Sequence, residues 1–204
     1  MKLYLLRHGH RGNGVNQDSL TSIGEEQAKR TAAHFERINI DKVICADNNR
    51  ARETANDIIK LKKCLVEYTS EVNEQSLGTL QGKSGEEYRK ALKESESDEN
   101  GFRPFGGESR LDAYARAERF FEKLKKEDSQ TILIVSHAGF ISDLITLILD
   151  IPMSESVHFK TQFCSISYFD LDINFKPKNL FINDITHLAE ESPYLKKGGT
   201  ETFK

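Results

Sequence analysis

The chain has 204 residues, 37% of them hydrophobic and 30% charged, with a formal net charge of −3. That length suits one sizeable domain with a real core. The slight negative charge argues against nucleic-acid or anionic-membrane binding driven by overall charge, while leaving room for a local basic pocket.

The chain opens on an apolar run, Leu3 to Leu6, that ends in Arg7, His8 and Gly9. The run suits a strand buried on both faces. Residues 11–19 are polar with Gly12 and Gly14, a loop. Thr21 is placed to cap a helix running to about Arg37, with Ala28, Ala32 and Phe35 on one face. A second strand covers Asp41 to Ala46. Asp47 is a candidate cap for the next helix, which carries Ala51, Ala55, Ile58 and Ile59. Cys64 to Tyr68 reads as a third strand, residues 70–83 as a loop, and Ser84 to Glu94 as an amphipathic helix. The charged, serine-rich run 93–101 is an exposed connection, and residues 104–107 are a turn. A long helix is predicted from about Ser109 to Glu127, with Leu111, Tyr114, Ala117, Phe120, Phe121 and Leu124 as its buried stripe. Thr131 to Ser136 is the clearest buried strand, followed at once by His137-Ala138-Gly139 and an apolar helix to Leu149. Gln162 to Leu171 and Asn179 to Asn183 form a C-terminal hairpin.

This alternation predicts an α/β fold, a three-layer α/β/α sandwich with a mostly parallel central sheet and an antiparallel strand added at one side. Residues 1–190 are expected to form a single catalytic domain, and 191–204 a flexible polar tail. Cys45, Cys64 and Cys164 are scattered and lack CxxC spacing, so neither a zinc site nor a disulfide framework is indicated. The apolar segments are too short for a signal peptide or a membrane span, and a cytoplasmic setting is expected.

Four successive strand–helix connections each deliver a chemically active side chain: Arg7 and His8, then Arg50, then Glu74, then His137. All lie where open α/β sheets bind ligands, outside the carboxyl ends of the strands. Two arginines suit a phosphate. Two histidines beside two cations are poor metal ligands, and one acid is too few for a magnesium site, so no metal and no cofactor are expected. An imidazole can carry a covalent phosphoryl group, and Glu74 can act as general acid. The pattern predicts metal-free phosphoryl transfer on a small phosphorylated substrate, with no nucleic-acid or membrane partner.

The motifs resemble those of the histidine phosphatase superfamily, which has the phosphoglycerate-mutase-like fold. Leu5-Leu6-Arg7-His8-Gly9 is similar to LLRHG, Arg50 to Ala55 to RAxxTA, Asn73-Glu74 with Gly78 to NExxxG, Gly106 to Ser109 to GGES, and Val135 to Gly139 to VSHxG. Leu20 to Ala28 and Asn183 to Leu188 resemble two further elements of that family. The resemblance spans roughly residues 3–188. It implies that His8 is the phosphorylated nucleophile, that Arg7, Arg50 and His137 bind the phosphoryl group, and that Glu74 is the proton donor.

There are departures. His10 and Arg11 follow the RHG signature where many members have an acid or amide and then a hydroxyl. The loop after Gly9 is short. His10, Arg11, Asn13 and Asn16 are therefore the candidate substrate-binding residues, and Arg11 could equally face water. Glu108 is expected to cap or charge a helix N-terminus, with orienting an active-site group as the lesser alternative, Arg52 to be a solvated helix residue, and His187 to brace the C-terminal segment near the site. The leading expectation is a phosphatase acting on a small phosphomonoester. A mutase and a catalytically silent phosphate-binding module are its rivals, and the short segment between Glu74 and Gly106 disfavours the mutase.

Overall fold

The computed structural model describes residues 1–12, 18–155 and 158–189. Asn13, Asn16 and the 191–204 tail lie outside the described residues. Six strands form one sheet: β1 (Lys2–Arg7), β2 (Lys42–Ala46), β3 (Leu65–Thr69), β4 (Thr131–Ser136), β5 (Ile166–Leu171) and β6 (Pro177–Asp184). Five helices connect them: α1 (Ser22–Phe35), α2 (Asn49–Leu61), α3 (Gly85–Glu94), α4 (Arg110–Leu124) and α5 (Ala138–Ile148).

The sheet order is β3-β2-β4-β1-β5-β6. The first four strands are parallel, and the C-terminal hairpin adds β5 antiparallel beside β1, with β6 at the edge antiparallel to β5. In the centre, Leu3, Leu5 and Leu6 of β1 and Ile132 to Val135 of β4 are fully buried. Burying each such side chain contributes roughly 1.5–3 kcal/mol, which fixes these strands as the spine. Cover comes from two helix pairs, α1 with α2 and α4 with α5.

Most helix starts follow from the sequence chemistry. Thr21 accepts the Gly24 amide, and Ser84 and Ser109 close capping boxes with Glu87 and Asp112. The cap of α2 differs from expectation. Asn48, not Asp47, accepts the Ala51 amide. Asp47 instead exchanges two hydrogen bonds with Asn73 (2.7 and 3.3 Å), tying the loop after β2 to the loop after β3.

Other boundaries shift. β5 begins at Ile166 because residues 162–165 turn, with Cys164 at φ 53°. α4 ends at Leu124, and its buried stripe passes through Ala113, Ala117, Phe120, Phe121 and Leu124, leaving Leu111 49% exposed. Among the described residues no helix is long and apolar enough to cross a membrane.

Candidate active site

The parallel register pairs Arg7 of β1 with Ser136 of β4. The next residues, His8 and His137, therefore leave the sheet side by side, with ring centroids 5.0 Å apart. The His8 amide still donates to the Ser136 carbonyl at 2.9 Å. His8 is 3% exposed and His137 1%.

The tautomer of His8 follows from its neighbour. Its Nδ1 lies 2.8 Å from the Gly9 carbonyl oxygen, which can only accept. Nδ1 therefore carries the proton, and Nε2 presents its lone pair. Burial pushes the His8 pKa well below its ordinary value, and the adjacent Arg7 charge pushes it further the same way. His137 is shifted in the same direction by burial, then by His8 and Arg50. Both rings are neutral at physiological pH.

Gly9 makes this strand exit possible. Its amide donates to Thr54 Oγ1 at 2.9 Å, and a Cβ there would lie 2.8 Å from the Gly24 carbonyl oxygen. Thr54 in turn donates to the Arg50 carbonyl, so α2 is fastened to the end of β1.

Arg7 donates to the Thr161 carbonyl at 2.5 Å and lies over the Phe163 ring, 4.1 Å from its centroid. Burial lowers its pKa to about 10 against the opposing pull of Glu74, leaving it a cation. Arg50 contacts His137 Nδ1 at 3.2 Å and pairs with Asp18 at 2.9 Å. Asn48 Nδ2 lies 2.8 Å from His137 Nε2, and since a neutral ring accepts at only one nitrogen, Arg50 and Asn48 compete to set its tautomer. The Nε atoms of both Arg7 and Arg50 are buried without a hydrogen-bond partner. Two half-buried guanidinium groups with unspent donors match a tetrahedral oxyanion.

Glu74 follows β3 and reaches across to the start of α5. Gly139 donates its amide to Glu74 Oε2 at 3.1 Å, and Gln75 donates to Oε1 at 3.2 Å. The Gly139 amide is thus engaged by the acid. Glu74 also borders a cavity of about 360 Å³ lined by residues of α4 and α5 and by neither His8 nor His137.

His8, Arg7, Arg50, Glu74 and His137 thus converge as the sequence places them. The substrate candidates fare differently. His10 is bonded through Nδ1 to Thr21 and packs edge-on to Phe163. Arg11 donates to the Gly12 carbonyl, and its charge lowers the pKa of His8 and His137. It is therefore part of the site's field. Glu108 does not charge the start of α4 as expected. It forms a two-pronged pair with Arg116 and accepts the Ser76 amide. Arg52, exposed as expected, also stacks on Tyr68. His187 lies against Thr31 and His34.

Sequence reasoning missed Asp18, Asn48, Thr161 and Phe163. Asn48 had a signal, since it stands two residues before Arg50. The other three act across long separations in the chain, and nothing in their local sequence marks them.

The chain matches known proteins along most of its length. The sequence model of the histidine phosphatase superfamily (branch 1) matches residues 3–182. The adenosylcobalamin/alpha-ribazole phosphatase of Escherichia coli K12 is 27% identical over 187 residues, covering 86% of this chain and 92% of its own. The Erwinia tasmaniensis protein named "Probable phosphoglycerate mutase GpmB" is 31% identical over 185 residues, covering 83% and 85%. The crystal structure of the alpha-ribazole phosphatase from Shigella flexneri superposes with a TM-score of 0.76 at 28% identity, covering 90% of this chain and 96% of that one. The chain belongs to the histidine phosphatase superfamily.

Proposed function

We propose that this member of the histidine phosphatase superfamily is a metal-independent phosphatase that hydrolyses a small phosphomonoester through a phosphohistidine on His8. The observation that carries this reading is the state of His8. It is buried, neutral and tied through Nδ1, with Nε2 free to attack, beside two half-buried guanidinium groups.

In the first half-reaction His8 Nε2 bonds to phosphorus as the bond to the ester oxygen breaks. Protonated Glu74 gives its proton to that leaving oxygen. In the second half Glu74, now a carboxylate, takes a proton from water. The hydroxide bonds to phosphorus, the phosphorus–nitrogen bond breaks, and inorganic phosphate leaves with His8 restored. Arg7, Arg50 and His137 hold the equatorial oxygens and offset their charge in both transition states. Most of the catalysis is positioning and electrostatics already built into the fold.

The test is hydrolysis of an aryl phosphate with chelator present. Turnover should persist, and His8→Ala should lower it by at least about a thousandfold. Acid-labile phosphate should be trapped on the wild-type protein and map to His8. Loss of activity on chelation, or an unimpaired His8→Ala variant, would overturn the mechanism. The relative named as a mutase supports a second reading, return of the phosphoryl group to substrate. Product analysis separates the two: release of inorganic phosphate marks the hydrolase. A cytoplasmic setting suits the buried thiols Cys45 and Cys164, whose pKa burial raises to about 12.

A further inference from the structure

We infer that the cavity bordering Glu74 is a leaving-group pocket built for an uncharged, hydroxyl-bearing alcohol such as a sugar, polyol or nucleoside, and that it discriminates against leaving groups carrying a carboxylate or a second phosphate. This rests on the phosphatase reading above, in which Glu74 protonates the ester oxygen and so marks where the leaving group must lie.

The cavity is lined by Glu74, Arg110, Arg116, Phe140 and Asp143 among others, with the exposed His158 at its edge. Two arginines on a pocket wall would ordinarily signal an anion. Here neither cation is available for one. Arg116 has five N–H donors, and its five hydrogen bonds use them: two to the Glu108 carboxylate, and one each to the carbonyls of Glu71, Asn73 and Glu74. Its charge is matched by Glu108, and it works as a brace for the loop that carries Glu74.

Arg110 makes a two-pronged ion pair with Asp143, through Nη1 at 2.8 Å and through Nη2. Asp143 is 3% exposed. An anionic ligand that pulled Arg110 away would leave that carboxylate buried and unpaired, a strongly unfavourable change, and one that used only the outer N–H groups would meet a guanidinium whose charge Asp143 already offsets. Arg110 has three further N–H groups beyond this pair. They can donate to hydroxyl oxygens without breaking it. The pocket wall therefore offers directional donors with the charge already cancelled. That is the chemistry of alcohol recognition.

Matched substrates test this on the purified wild-type enzyme, alongside an aryl phosphate as the measure of basic phosphatase activity. Glycerol 1-phosphate against 3-phosphoglycerate and sorbitol 6-phosphate against 6-phosphogluconate each differ at a carboxylate remote from the reacting phosphate. The neutral member of each pair should have the higher kcat/KM by at least about tenfold. Equal values, or preference for the acids, with the aryl phosphate still hydrolysed, would overturn the pocket assignment and leave the phosphatase reading standing. Failure to hydrolyse the aryl phosphate would sink that reading, and the pocket assignment with it. Asp143→Asn, near-isosteric, uncovers the Arg110 charge and should shift the ratio toward the carboxylate-bearing member. An unchanged ratio in the folded variant would refute the masking role of Asp143. Should the variant not fold, the wild-type pairs decide alone.

Discussion

Gly139 has no side chain, and this sets where Glu74 sits. A Cβ at this position would lie 2.2 Å from Glu74 Oε1, while the glycine amide holds Oε2 at 3.1 Å. Gly139→Ala should push the proton donor off its line to the ester oxygen. A misplacement of about 1 Å costs on the order of a hundredfold in rate. The loss should appear in kcat, with the melting temperature little changed. A variant with full kcat would show that Glu74 tolerates displacement or is not the donor. At this scale the sequence was legible wherever a reactive side chain directly follows a strand. Arg7, His8 and His137 stand out because no packing role explains them at the end of an apolar run. Asp18 and Phe163 do not stand out, because their meaning comes from Arg50 and Arg7, more than thirty and more than a hundred and fifty residues away in the chain.

The start of α2 joins stability to chemistry in one side chain. Asn48 caps the helix with its oxygen, while its nitrogen lies 2.8 Å from His137 Nε2. Asn48→Ala should remove about 1 kcal/mol of stability and also loosen His137. Asn48→Asp separates the two roles. An aspartate caps as well, so unfolding midpoints should recover, but it sets a carboxylate against the imidazole and favours the charged ring. Turnover should therefore stay low while stability returns. Recovery of both together would show that Asn48 serves only the helix. Element boundaries were readable where a cap or a glycine announces them, as at Thr21, Ser84 and Ser109. They were less so where packing decides. The α4 stripe is set by which side meets α5, and that contact turns Leu111 outward and Ala113 inward.

For the whole molecule, inserting β4 between β1 and β2 puts two histidines from distant parts of the chain on adjacent strands. The alternation of strands and helices implied a parallel sheet but not this order, which only the pairing register reveals. The same burial that prepares His8 and His137 for chemistry has a consequence for stability. Burial lowers the pKa of His187 to about 4, with the nearby His34 adding to the shift, and moves His8 and His137 well below the ordinary value of 6.5. Below about pH 6.5 the unfolded chain therefore binds protons that the folded chain refuses. Stability rises with pH through that window, and falls as pH drops from about 6.5 toward 4. Above about pH 7.5 these rings are neutral in both states and contribute no slope. The chain has no tryptophan, so urea unfolding followed by circular dichroism is the suitable measurement. Its midpoint should level off by about pH 7.5 to 8 and decline steadily below about 7. His187→Gln should make that decline shallower. A midpoint that holds or rises on acidification would refute the buried-neutral assignment. Activity should respond differently, because His8 keeps its lone pair in mild acid while the fold weakens around it. Assays begun immediately after a drop to about pH 5 should retain the His8-dependent step, and the later loss should track unfolding in time.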